Sequence, residues 1–134
     1  MIRSTLTILG FGLLAATAAC GGTSRGLEAY RNDTSSLLET RNAQLQSCYD
    51  EALKTDSKIA GTVTVQFVVA KKTGTIENAT VDQAKSSAPP VLGQCVVNAV
   101  NGLVLTPADK NEGHATFTYE FKPGQAPSAA PAAG

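Results

Sequence analysis

The stretch GTVTVQFVVA, Gly61–Ala70, decides the fold because apolar and polar side chains alternate through most of it. One face of the extended chain carries Val63, Val65, Phe67 and Val69, and the other carries Thr62, Thr64 and Gln66. This pattern predicts a strand with one buried face, which is typical of an antiparallel sheet. The residues that follow, KKTG, predict a hairpin turn in which Gly74 takes the left-handed backbone conformation.

Two further strands complete the predicted sheet. The second is expected over Thr75–Gln83, with a bulge near Glu77 and Asn78 where the alternation slips by one residue. The third is HATFTYEF, His114–Phe121, in which alanine and three aromatic residues alternate with polar ones. We expect these aromatic side chains, together with Tyr49, to be part of the core.

Two amphipathic helices are predicted around these strands. Ser36 and Glu39 have capping-box spacing, so the first helix is expected to begin there and to end near Thr55. The second helix begins at a Pro-Pro pair and ends at Gly102. The element order α-β-β-α-β predicts an α+β fold with two layers. Its three-stranded antiparallel sheet has the order 2-1-3, and both helices lie on one face.

The beginning of the chain has the pattern of an export signal. Arg3 precedes a short apolar run, Leu6–Ala16, which is too short to span a bilayer and predicts a lipoprotein signal peptide. The sequence TAAC then resembles a lipobox, in which Cys20 is lipidated and becomes the new N-terminus. Ordinary cleavage after Ala19 is the alternative, and it leaves an exported protein with an odd number of thiols.

Composition divides the chain into four segments. Residues 1–19 are the predicted signal peptide, and residues 20–33 are the lipidated cysteine with a small, polar tether. Residues 34–122 contain the predicted domain. Residues 123–134 consist of Pro, Gly, Gln, Ser and Ala, which predicts a disordered tail.

Cys48 and Cys95 lie on the two predicted helices, and three roles are open to them. A catalytic thiol needs a base, and the single histidine, His114, lies on a different predicted element. A zinc site needs four ligands, and no ligand set has motif spacing. A disulfide needs only an oxidising compartment and two facing helices, so we predict a structural disulfide between Cys48 and Cys95.

Several motifs together resemble one known family. A helix ending in CYDEAL is followed by G-x-V-x-V-x-F, a glycine-containing turn, a helix with QCVVNAV, a polar loop and an aromatic strand. Across Leu37–Phe121 this order resembles the AgmX/PglI C-terminal domain of exported myxobacterial proteins, and it is distantly similar to the TonB C-terminal domain. The family usually has a tryptophan where this chain has Leu103. The resemblance implies an adaptor in an envelope or gliding-motility assembly, without catalytic residues.

Charge and composition argue against several classes of function. The chain has 11 basic and 11 acidic residues and no tryptophan, so neither a basic surface nor an aromatic platform for nucleic acid is indicated. No nucleophile with its base and no phosphate-binding loop is found in the sequence. We therefore predict a protein that is not an enzyme, with no cofactor, no metal and no small-molecule substrate. His114, beside Glu112, is interpreted as a solvated residue at a loop edge.

These observations predict an envelope lipoprotein with a small protein-interaction domain. It is anchored to the membrane through Cys20 and faces the periplasm, and Gly21 after the anchor favours the outer membrane by analogy with a known sorting rule. A protein partner is expected to add a strand to the free edge of the second predicted strand. The alternative is a structural protein that contacts peptidoglycan. The predicted interaction residues on that edge are Thr75, Glu77, Thr80 and Asp82.

Overall fold

A computed structural model describes residues 25–132 and has the predicted α+β class. Its helices and strands form two layers, because buried residues of all three helices join the inward face of one antiparallel sheet in a single core. The sheet order is β2-β1-β3-β4. The helices are α1 (Leu27–Glu39), α2 (Asn42–Thr55) and α3 (Pro90–Val100), and the strands are β1 (Gly61–Val69), β2 (Ile76–Val81), β3 (Gly113–Phe121) and β4 (Ser128–Pro131).

The centre of the sheet follows the prediction. β1 pairs with β3 over its full length, from Gly61 opposite Phe121 to Val69 opposite Gly113, and with β2 on its other side. The predicted bulge is confirmed, since the register between β1 and β2 shifts opposite Phe67 and Asn78 has a φ of 55°.

The fourth strand corrects two predictions, the three-stranded sheet and the disordered tail at residues 123–134. β4 pairs with β3 from Phe117 opposite Pro131 to Glu120 opposite Ser128. The composition was a poor guide because a strand pairs through backbone groups, which serine and alanine supply as well as larger residues do. Small side chains also suffice for burial at this position, since Ala129 packs against the core.

The first predicted helix is two helices. Ser36 and Glu39 lie in the last turn of α1, so they do not form a capping box, and the helix begins at Leu27 inside the predicted tether. α1 ends where the backbone N–H and the hydroxyl of Thr40 both donate to the carbonyl of Leu37, at 3.2 and 2.6 Å. Threonine competes for backbone partners in this way, and the chain restarts as α2 two residues later.

Aromatic side chains occupy the centre of the core, as predicted. Tyr49 of α2 meets Phe121 edge to face at 5.3 Å between ring centroids, and Phe67 stacks on Phe117 at 6.0 Å. Tyr49 also donates from its hydroxyl to the carbonyl of Ile59 at 2.6 Å. Leu103, which stands where the resembled family usually has tryptophan, is buried as well and is unavailable to a partner.

Candidate interaction site at the sheet edge

The predicted disulfide between Cys48 and Cys95 is present and joins α2 to α3. The two Cα atoms are 6.2 Å apart, and the bond closes a loop with a sequence separation of 47. Both thiols are consumed by this bond, so neither is a nucleophile or a metal ligand in the oxidised protein. Cys20, the predicted lipid site, lies outside the described residues.

The remaining candidates for chemistry are surface groups. His114 is exposed at the start of β3, and its Nε2 lies 3.1 Å from a carboxylate oxygen of Glu112. Across residues 25–132, no three side chains of the metal-ligating types come together. The candidate functional sites that remain are surfaces to which another protein chain could bind.

The side of β2 that faces away from β1 is covered by another segment of the chain where the strand begins. The segment Gly102–Leu105 runs beside it, since Ile76 N donates to Leu103 O at 2.7 Å and Gly102 N donates to Ile76 O at 2.9 Å. Leu105 N also donates to Gly74 O at 2.8 Å. Thr75 is one of the four predicted interaction residues. Its edge is not free, because the segment Gly102–Leu105 of the same chain covers it. This pairing was not predicted, because LVL in the sequence has the pattern of a helix exit rather than a strand.

Asp82, at the other end of the predicted set, has a structural role. Its carboxylate accepts from Ala84 N and from Gln66 Nε2, both at 3.1 Å, and it caps a short 3-10 turn over Gln83–Lys85. Its backbone N–H donates to Thr64 O at 2.8 Å, towards β1. Since backbone direction alternates along a strand, Thr80 N–H also faces β1 and Val81 N–H faces outward.

The open part of the edge is therefore the portion of β2 after Ile76, from Glu77 to Val81. Glu77 and Thr80 are exposed there, and within residues 25–132 no strand pairs with β2 beyond Ile76 on this side. The structure thus brings two of the four predicted residues to an uncovered strand edge. The bulge at Asn78 limits how long an added strand can be.

A groove lies beside this open edge, between β2 and α3. Its volume is about 160 Å³, and its lining includes Val63, Val81, Pro90, Gly93 and Val97. Gly93 permits the close approach of the helix, because a Cβ at that position would lie 3.1 Å from a methyl group of Val81. The groove has the size of one side chain, and its lining mixes apolar side chains with the polar side chains of Gln83, Ser86 and Gln94. No sequence pattern indicated it.

A second feature that the sequence did not reveal is the attachment of α1. Arg25 N donates to Asp109 Oδ2 at 3.1 Å, and the guanidinium Nε of the same residue donates to Asp33 at 2.6 Å. The side chains of Arg25 and Asp109 are only 6% and 7% exposed. Hydrogen bonds from the backbone N–H groups of Asn111 and Arg25 hold the pKa of Asp109 below its ordinary value.

Neutralising this carboxylate is expected to release the first turns of α1. In an Asp109→Asn variant, trypsin should cleave after Arg31 several-fold faster than in the parent protein, because opening of α1 limits the cleavage. Since the folded pKa of Asp109 is lowered, its stabilising contribution is present above the ordinary carboxyl pKa of about 4 and is lost as the pH falls through the folded value. The protection factors of the α1 amides, which correct for the intrinsic pH dependence of exchange, should therefore fall towards the Asp109→Asn values in acid.

Asp33→Asn is the matched control, because it neutralises the more exposed carboxylate on the same guanidinium. We expect a smaller change from it than from Asp109→Asn. Equal protection of α1 in Asp109→Asn and the parent protein would contradict the assigned role of Asp109.

Comparison with known proteins adds no assignment. No family model, curated protein or solved structure matches the chain, so the resemblance to the AgmX/PglI C-terminal domain stays a prediction. Each helix within residues 25–132 is too short or too polar to cross a bilayer.

Proposed function

We propose that this chain is a lipid-anchored envelope protein that holds a protein partner by strand addition to the open part of β2. The observation that carries the proposal is the open backbone between Glu77 and Val81 beside a groove of about 160 Å³. In this mode of recognition, backbone hydrogen bonds supply affinity and a pocket for an alternate side chain supplies specificity.

The other edge of the sheet is less suited to strand addition. β4 has four residues, and it ends at Pro131, which has no N–H to donate. Short, proline-containing edges are common devices against unwanted pairing. The contrast between the two edges favours β2 as the place where a partner strand is held.

The anchor part of the proposal is supported by the leader pattern and by cysteine pairing. The chain has three cysteines, and two of them form the disulfide, which leaves Cys20 of the TAAC motif. Its partner is then expected in the envelope, on the periplasmic side of the membrane. Mass spectrometry of the mature protein tests this part: an acyl mass on Cys20 is expected, and an unmodified Cys20 would contradict it.

Strand addition is tested by photo-crosslinking in the intact envelope. A photoreactive residue at Thr80 is expected to capture a discrete partner, whereas one at Glu51, exposed on α2, is not. Val81→Pro should abolish the capture, because it removes the outward N–H of the open edge. Capture that survives Val81→Pro in a folded protein would exclude this binding mode.

The groove is tested by a substitution at its rim. Gln94 lines the groove and is exposed, so Gln94→Trp should obstruct it while the protein still folds. The matched control is Asn98→Trp, one turn further along α3 and outside the groove. We expect loss of capture for Gln94→Trp alone, and equal capture by the two variants would show that the groove takes no part.

A further inference from the structure

The connection between α3 and the segment Gly102–Leu105 contains the only Asn-Gly pair of the chain, Asn101–Gly102. Both residues are exposed. Gly102 has a φ of 86°, and apart from its two neighbours in the chain no residue places an atom within 4 Å of the position of a Cβ. Asparagine is a thermolabile residue, and a glycine after it has no side chain to shield its own backbone nitrogen. Asn101 is therefore the asparagine whose amide is most open to attack by the next residue.

The reaction of this pair needs water and no other reactant. Gly102 N loses its proton and forms a bond with Asn101 Cγ, which closes a succinimide ring, and Nδ2 leaves as ammonia. Water then adds to one of the two ring carbonyls. Opening at Cγ gives aspartate at position 101. Opening at the backbone carbonyl gives isoaspartate, in which the main chain passes through Cβ and Cγ and is one carbon longer.

The folded chain slows this reaction because it holds the attacking nitrogen. Gly102 N donates its proton to Ile76 O at 2.9 Å, so this hydrogen bond has to open before the ring can close. Both residues of the pair are at the surface, where local opening is frequent. With one backbone hydrogen bond to break, we expect deamidation about tenfold more slowly in the folded protein than in the unfolded chain.

Asn98 shows how much better an asparagine inside the helix is protected. Its side-chain oxygen accepts from Gln94 Nε2 at 2.9 Å, which holds the amide away from the backbone. The next residue is Ala99, whose Cβ shields its nitrogen and whose N–H is held by the carbonyl four residues earlier in α3. Asn98 is therefore expected to keep its amide while Asn101 loses it.

Either product places a new negative charge at an unfavourable position. Asn101 is the C-cap of α3, and its N–H donates to Val97 O at 3.0 Å. The C-terminus of a helix has a partial negative charge, and the last turn of α3 has no basic residue to offset a carboxylate. Deamidation should therefore weaken the connection at the end of α3.

Isoaspartate also lengthens the main chain between two fixed points. Val100 is fully buried and Leu103 is 7% exposed, so packing holds the chain on both sides of the pair. The additional carbon has to be accommodated between them, where Gly102 N and Leu103 O bond to Ile76 at 2.9 and 2.7 Å. These two bonds cover the beginning of β2, and losing them extends the open edge from Glu77 back to Ile76.

We propose that Asn101–Gly102 is a site of spontaneous deamidation, and that the modified chain releases Ile76 and lengthens the open edge of β2. The use of the longer edge rests on the proposed strand addition. New protein offers Glu77–Val81 to its partner, and aged protein offers Ile76–Val81, with one more N–H and one more carbonyl for a partner strand. The pair thus makes binding depend on the age of the protein without a modifying enzyme.

The site is tested by incubating the folded, full-length protein at mildly alkaline pH. Peptide mapping should show acid in place of amide at Asn101, with aspartate and isoaspartate as separate products. Asn98 lies in the same tryptic peptide, residues 86–110, and should stay intact. Asn101→Gln is the matched control, because it keeps an amide whose ring closure is far slower. An Asn101 amide that lasts as long as that of Asn98 would overturn the site.

Release of Ile76 is measured by hydrogen exchange. The protection factor of Ile76 N–H, which donates to Leu103 O, should fall about tenfold in the aged protein. Aged Asn101→Gln should keep the protection of fresh protein. Asp82 N–H, which donates to Thr64 O at 2.8 Å at the other end of β2, is the internal reference and should not change. Deamidated protein in which Ile76 stays protected would overturn the release.

The outcomes separate this inference from strand addition. Fresh protein, in which Asn101 is intact, tests strand addition through the photoreactive residue at Thr80, and the absence of capture there leaves the deamidation site standing. An Asn101 that stays intact overturns the inference and leaves strand addition standing. Where a partner is captured, aged protein should capture it several-fold more efficiently than aged Asn101→Gln, and equal capture would show that the longer edge is not used.

Discussion

Reduction of the Cys48–Cys95 disulfide is expected to lower the free energy of unfolding by about 4 kcal/mol. The bond closes a loop with a sequence separation of 47, and in the chain-entropy model most of this stabilisation comes from restricting the unfolded chain. A domain of this size changes its unfolding midpoint by about 4–8 °C per kcal/mol, so the midpoint should fall by roughly 15–30 °C. Thermal unfolding with and without reductant measures the effect.

The double variant Cys48→Ala, Cys95→Ala is the control for the reductant itself. It should unfold near the midpoint of the reduced parent protein, and reductant should not change that midpoint. A reductant effect of the same size in the double variant would show that the disulfide is not its cause.

Truncation of Phe121 to alanine is expected to cost about 3–5 kcal/mol, a large share of the roughly 5–15 kcal/mol that stabilises a domain. Phe121 is fully buried, and its ring lies 5.3 Å from Tyr49 and 6.5 Å from Tyr119 between centroids. The variant loses both the burial of the ring and its contacts with the two tyrosines. Urea unfolding of the oxidised variant gives the difference directly.

Lys122→Ala is the neighbouring control. Lys122 is exposed, and its ammonium group meets Glu120 at the surface, so its removal should leave the unfolding midpoint nearly unchanged. If Phe121→Ala unfolded at the midpoint of the parent protein, the end of β3 would not be part of the core.

Elements that are held by their side chains could be predicted from the sequence, because the pattern of apolar side chains shows which face is buried. β1 and β3 alternate because one face of the sheet is buried, and their pairing could be inferred from that alternation. The disulfide could be inferred because its two cysteines lie on elements that pack over this sheet. The bulge at Asn78 appeared as a slip in the same alternation.

Elements that are held by backbone hydrogen bonds have no such pattern of side chains in the sequence. β4 and the segment Gly102–Leu105 attach to the sheet by N–H and carbonyl groups that every residue type except proline offers in full. The bond from Arg25 N to the Asp109 carboxylate joins residues 84 positions apart, which no local spacing encodes. The same limit applies to the candidate site, since the strand edge was predicted but the portion covered by Gly102–Leu105 was not.

The position of the disulfide has a mechanical consequence. The candidate site, from β1 through β2 to the start of α3, lies inside the loop that Cys48 and Cys95 close. Tension between a point before Cys48 and any attachment beyond Cys95 passes through the covalent bond and cannot draw out the roughly 160 Å of backbone within the loop. A chain pulled at two such points would therefore extend outside the loop, and the backbone of β2 and its groove would not carry the load.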